Sequence, residues 1–263
     1  MALAFDKAAD VFFRAFKDCT NHIIKSLPND INTLEATQAI HAITQQLNGD
    51  YARLVHVVNT VHARVAQDET WATMAAVDVY EQLAKAVDTN LSIPNLPMRG
   101  PYLVRNELMK TCQAQFQQMM SAPTWSRGFM AFLGQLCTVG NITSTTPGIL
   151  TYVLDGMISS SALDTSDNFD ILMNFFMRAG PCLDGQPQLG EHLTMRIQKL
   201  QERAKMLKLS ERLAVYGLVQ LRERGWREEE LNAGSRSEQQ VTDATSTWMS
   251  GMGFASAGDL NGR

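Results

Sequence analysis

From Leu34 onward the apolar positions of this chain recur three and four residues apart. In LEATQAIHAITQQL, Leu34, Ala36, Ala39, Ile40, Ile43 and Leu47 share one helix face. In YARLVHVVNTVHARVA the same spacing links Leu54, Val57, Val58, Val61 and Val65. Leu47-Asn48-Gly49-Asp50 joins the two with a C-capping Gly and an N-capping Asp, which predicts a tight helical hairpin. A third helix is expected over about Thr70 to Val87, a stretch free of Gly and Pro. Residues 88–101, DTNLSIPNLPMRGP, hold three of the eight prolines and exclude a helix. Helical spacing resumes in YLVRNELMKTCQAQFQQMM and, after Pro123, in WSRGFMAFLGQLCTVG. Pro147 opens a further helix, Asp167 is expected to cap the next, and LTMRIQKLQERAKML with SERLAVYGLVQLRERGW forms a last hairpin. No segment alternates with the period of two that a strand requires.

About nine or ten helices follow Leu34, joined mostly by short capped turns, so sequence neighbours should lie antiparallel. The expected fold is all-α, an α-solenoid of about five HEAT-like helix pairs with degenerate repeats. An ordinary helical bundle is the alternative. Residues 1–30, with Phe5, Val11, Phe12, Phe16 and Ile23 at helical spacing, read as an added helix over the first repeat. Residues 31–231 make the solenoid. Residues 232–263 read as a mobile Gly/Ser-rich tail, or, through Trp248, Met249, Met252 and Phe254, as a short docking motif.

Composition narrows the chemistry. In 263 residues, 45% hydrophobic and 19% charged content excludes a disordered polypeptide and suits one large or two small domains. Cys19, Cys112, Cys137 and Cys182 lie far apart and away from the five histidines, so no zinc site or disulfide framework is expected. With no secretory signal and no membrane-length apolar run, the chain is expected to be intracellular, in the cytoplasm, with no membrane partner. The 14 methionines are scattered and read as core filler. Cys19 and His22 could pair as nucleophile and base, but nothing nearby would orient the histidine; His56 and His62, six apart, fall on different helix faces. Val139-Gly140-Asn141 and Arg178-Ala179-Gly180-Pro181 read as helix C-caps rather than phosphate loops. Neither a cofactor nor catalysis is expected; an enzyme using Cys19 or Cys112 is the rival class.

Net charge is −4, but it is unevenly placed. Arg196 to Arg227 carries nine cations against Glu202, Glu211 and Glu223, a net of +6. Arg99 to Gly128 adds +3, leaving −13 for the rest. A basic terminal hairpin can hold a phosphate backbone or an acidic partner; a solvated face of paired charges is the alternative.

Four segments, in order, then resemble one family. They are Ile43-Thr44-Gln45-Gln46-Leu47-Asn48-Gly49-Asp50-Tyr51-Ala52-Arg53-Leu54-Val55, Gly128-Phe129-Met130-Ala131-Phe132-Leu133-Gly134-Gln135-Leu136, Ala179-Gly180-Pro181-Cys182-Leu183-Asp184, and Ser210-Glu211-Arg212-Leu213 through Gln220-Leu221-Arg222 to Trp226. Over about Ile31 to Glu230 the chain resembles the middle domain of eukaryotic translation initiation factor 4G, a HEAT-repeat scaffold. The resemblance implies a translation initiation factor acting in protein biosynthesis, which clamps both lobes of the DEAD-box helicase initiation factor 4A near its closed, RNA- and ATP-competent state. It also implies RNA contact, a monomer within a larger initiation complex, and no activity of its own.

By the same resemblance, the helicase contacts map to Leu47, Asn48, Tyr51 and Leu54 at one end and Arg212 and Leu213 at the other. Thr44 and Arg127 stand where the family has apolar residues. Leu47 and Tyr51 read equally as a hydrophobic staple around a turn. RNA contact is placed on Arg196, Lys199, Arg203, Lys205 and Lys208. A related middle-domain adaptor in RNA decay, splicing or poly(A)-binding-protein interaction is the second reading.

Overall fold

The helix pattern becomes two stacked layers in the computed structural model, which describes residues 2–47, 49–93, 97–136 and 147–227. Asn48, Cys137, the Val139-Gly140-Asn141 segment and the tail from residue 232 therefore lie outside the described residues. Eleven α-helices occur among those described: α1 (Ala2–Ser26), α2 (Leu34–Leu47), α3 (Tyr51–Gln67), α4 (Glu69–Met74), α5 (Ala76–Ala86), α6 (Pro101–Met120), α7 (Arg127–Leu136), α8 (Pro147–Ser159), α9 (Ser166–Asp184), α10 (Pro187–Ala204) and α11 (Leu209–Glu223). A 3-10 turn spans Ser161–Asp164, and the described residues form no strand, only an isolated bridge between Ser92 and Arg99.

One layer runs α1, α3, α4, α7, α9, α11; the other runs α2, α5, α6, α8, α10, each helix packing on the next. The two layers enclose one continuous apolar core from Phe16 to Leu218, with Trp71, Tyr80, Phe129, Phe132, Phe175 and Phe176 fully buried. The fold is an all-α, solenoid-like stack of helix pairs, as the spacing predicts. Asp50 caps α3 by accepting from the Ala52 N–H at 2.8 Å, and Gly49 supplies the positive φ of 73° at the turn.

Three local expectations change. The helix expected over Thr70–Val87 breaks at Ala75, with φ −127° and ψ −36°, into α4 and α5. The halves have different neighbours: α4 lies on α7, whereas α5 lies between α2 and α6. A straight helix could not bury both faces. The cap of α9 is Thr165, whose hydroxyl accepts from Asn168 N–H, and Asp167 sits inside the first turn. Helix α9 also continues through Gly180 and Pro181 to Asp184, so Gly180 is no C-cap. A Cβ at Gly180 would lie 2.2 Å from the Trp226 ring. The glycine is there for close approach.

Arginines close the exposed ends of helices in a way spacing does not reveal. Arg53 Nη1 donates to Gln46 O near the end of α2, at 2.5 Å. Arg64 Nη1 donates to Ile24 O and Leu27 O at 2.5 and 2.9 Å, closing α1, while its guanidinium lies 4.2 Å over the Trp71 ring. Arg203 Nη1 does the same for α8 through Ile158 O, at 2.5 Å. Each places a cation on carbonyls left without intrahelical partners.

Candidate functional site

At the N-terminal hairpin, α2 and α3 turn most of the expected contact residues inward. Leu47 is 2% exposed and Leu54 is 0% exposed. Both belong to the core, so neither offers surface to a partner; this corrects their reading as contact residues. An apolar side chain at a hairpin serves either purpose in sequence, and burial decides. Tyr51 is half-buried, and its hydroxyl donates to Glu107 Oε1, which also accepts from Lys110 Nζ at 2.7 Å and Asn106 Nδ2 at 3.2 Å. Burial, then the Glu107 carboxylate, raises the Tyr51 phenol above its ordinary pKa. Thr44 is buried and donates to His41 O at 2.8 Å.

The C-terminal end is different. Helix α11 buries Ala214, Val215 and Leu218 against the stack. Its other side presents Leu209, Leu213 and Tyr216, which are 64%, 56% and 60% exposed, with Met206 just before it at 89%. Arg212 is exposed beside Leu213. Residues 209, 213 and 216 are spaced four and three apart, so they form one stripe along the helix. The expected pair Arg212 and Leu213 therefore lies on open surface. Leu209 and Tyr216 were not anticipated, although an α11 apolar on two sides could have shown them.

The five basic positions divide by environment. Arg196 Nη2 meets Asp155 Oδ2 at 2.5 Å and Arg203 Nη2 meets Asp164 Oδ1 at 2.8 Å, both across the seam between α10 and the α8 region. Lys199 Nζ donates to Ser159 Oγ at 2.7 Å. Lys205 pairs with Glu202 at 2.6 Å, and Lys208 donates to Ser166 Oγ at 3.1 Å. Lys199 and Arg203, like charges four residues apart, are thus each drawn toward a partner on another element. Arg196 and Arg203 are seam residues, while Lys199, Lys205 and Lys208 remain exposed. The carboxylates of Asp155 and Asp164 come from outside the basic segment, so its +6 is diluted in space.

Two separated segments meet between α9 and α11. Asp184 accepts from Arg222 Nε at 2.8 Å, Arg222 Nη2 at 2.7 Å and Trp226 Nε1 at 2.7 Å, while the Trp226 ring covers Gly180. Burial alone would raise the Asp184 carboxyl; the hydrogen bonds from Arg222 and Trp226 outweigh it and hold the pKa below its usual value.

A Cys/His pair does exist, in the core. Cys112 Sγ lies 3.8 Å from His62 Nε2, and His62 Nδ1 lies 2.9 Å from Gln115 Oε1, which fixes Nδ1 as the protonated nitrogen. Both side chains are buried, and the His62 ring packs against Tyr80, Phe129 and Phe132. Burial raises the Cys112 thiol and lowers His62 to about 4, opposite to the shifts that activate a thiolate-imidazolium pair. Cys19 is exposed. The hollow between α4, α7 and α9, lined by Glu69, Arg127, Asn174 and Arg178, holds about 10 Å³, room for roughly one water. Among the described residues no group of three His, Cys, Asp or Glu could hold a metal, and no helix is long and apolar enough to cross a membrane.

His62 makes acid stability predictable. Its folded pKa of about 4 lies below the ordinary 6.5. Its contribution is complete above pH 6.5 and is lost as pH falls from there toward 4, because only the unfolded chain takes up the proton. The loss is about 3 kcal/mol across that window. Urea melts at pH 7, 5.5 and 4 should show it, and His62→Phe should flatten the slope.

No family model matches this chain, and no curated protein matches it.

Proposed function

We propose that this chain is a cytoplasmic translation-initiation scaffold that binds the DEAD-box helicase initiation factor 4A, holds its lobes near the closed state, and contacts mRNA without catalysis of its own. One observation carries the reading: among the described residues, α11 presents an exposed apolar stripe, Leu209, Leu213 and Tyr216, beside Arg212, where the resemblance to the factor 4G middle domain puts a helicase contact. The meeting of Gly180 and Asp184 with Arg222 and Trp226 adds support, since it ties together two motifs of that resemblance far apart in sequence. At the other end, Tyr51 keeps partial exposure, and Leu47 and Leu54 shape the hairpin from within.

The test is capture of purified factor 4A, with ATP analogue and RNA, on the immobilised chain. Micromolar or tighter binding supports the proposal; no binding favours the adaptor reading in RNA decay, splicing or poly(A)-binding-protein interaction. RNA contact rests on Lys199, Lys205 and Lys208. With about three phosphates neutralised, log affinity for single-stranded RNA should fall with log salt at a slope of about −2. Replacing the three lysines by Ala should bring that slope close to zero, read by fluorescence anisotropy.

A further inference from the structure

Helix α8 carries an aromatic ring that neither the core nor the sites above use. Tyr152 is 53% exposed. One edge of it is fixed: Phe116 of α6 meets the ring at a steep angle, with centroids 5.7 Å apart. Phe116 is itself buried and lies so close to Gly156 of α8 that a Cβ there would stand 2.8 Å from its Cζ. The tyrosine is thus a held ring with much of its surface open to solvent, which loses little freedom when something stacks on it. Its two flanks differ. On the α6 side, residues 111–120 carry no charge, and Gln113 and Gln117 are exposed on either side of Phe116 in sequence. On the α10 side, Arg196 donates to Thr151 O at 3.4 Å and meets Asp155, the one acid of α8, so that carboxylate is neutralised. Two turns along α8 from Tyr152, Lys199 Nζ donates to Ser159 Oγ. The hydroxyl is neutral, so the lysine keeps its charge. Tyr152 and Ser159, seven residues apart, share one exposed side of α8 at a separation of about 10 Å.

We infer that this ridge is a subsite for single-stranded RNA, in which an unpaired base stacks on Tyr152 and a neighbouring backbone phosphate meets Lys199. Such a site needs an open aromatic face, a cation within reach along the strand, and no unpaired carboxylate between them. The ridge supplies all three. A duplex does not fit, because its bases are already stacked on one another. A protein fits less well, because it would need a contiguous apolar patch, and among the described residues Tyr152 is the one large apolar side chain that α8 exposes. The inference rests on the RNA contact proposed above and adds a base to its phosphates.

The experiment compares the full chain with Tyr152→Ala and Tyr152→Trp, by fluorescence anisotropy, on labelled oligoadenosine and on an abasic ribose-phosphate strand of the same length. Tyr152→Ala should weaken oligoadenosine binding about tenfold with its melting temperature and salt slope unchanged, since a stacked base releases no counterions. Tyr152→Trp should bind at least as tightly as the parent, and the abasic strand should not distinguish the parent from Tyr152→Ala. Equal affinity of parent and Tyr152→Ala for oligoadenosine overturns the inference and leaves the lysine contact standing. A loss of the same size on the abasic strand also overturns it, because the residue would then only shape the surface. Weaker capture of factor 4A by Tyr152→Ala, with RNA affinity intact, would put a protein on the ridge and overturn it as well. If the parent binds neither strand, the proposed RNA contact fails and the stacking site with it.

Discussion

Gly128→Ala should destabilise the fold by about 2–4 kcal/mol, although it adds one methyl group. The ideal Cβ at Gly128 lies 2.1 Å from Val65 O and 3.4 Å from Glu69 Cα. Both are backbone atoms at the corner where α3 passes into α4, so no side chain can swing aside. Relief requires α7 to retreat from that corner. Phe129, Phe132 and Leu133 on α7 are buried, so such a retreat loosens contacts along the middle of the stack. Helix propensity acts in the other direction and favours Ala by only about 1 kcal/mol. A fall in melting temperature of about 5–10 °C, measured by calorimetry, is the expected result. An unchanged temperature would mean that α7 does not approach the corner this closely.

Leu54→Ala and Leu213→Ala should have opposite signatures. Leu54 is 0% exposed, so its truncation should cost about 2–5 kcal/mol of folding stability through lost transfer energy and the cavity left behind. Leu213 is 56% exposed, and its truncation should change stability by no more than about 0.5 kcal/mol. Partner affinity should respond the other way round, with Leu213→Ala weakening it by about tenfold or more and Leu54→Ala leaving the folded fraction competent. Denaturant midpoints and binding isotherms on the same two proteins separate the roles. The contrast also distinguishes a contact residue from one that only shapes the surface near it.

The helices themselves were legible, because Leu54, Val57, Val58, Val61 and Val65 can share a face only at helical spacing, and all five are buried. The layered stacking followed from short capped joints such as Gly49-Asp50. Periodicity could not show the break at Ala75, since an Ala-rich stretch is compatible with a straight helix and the reason to bend lies in neighbours from α2, α6 and α7. Gly180 and Pro181 carried the local signature of a helix end, yet their meaning depends on Trp226, over forty residues away. The basic segment misled in a related way: charge summed along the chain misses Asp155 and Asp164, which packing brings to Arg196 and Arg203. At the site, Arg212 and Leu213 were placed by resemblance, whereas Leu209 and Tyr216 stand out in sequence only as apolar positions on a second side of α11, and burial decides which side faces the core. Leu47 shows the converse, an apolar residue at a plausible contact position that the core had already claimed.

The central claim is that α11 engages the helicase and promotes its closed state. The most direct measurement is the RNA-stimulated ATPase rate of purified initiation factor 4A with increasing amounts of the full chain and of Leu213→Asp. The predicted result is a saturable rise of several-fold with the parent chain and a midpoint shifted at least tenfold higher for Leu213→Asp, its melting temperature unchanged. No stimulation by the parent chain, or equal stimulation by both, would contradict the claim.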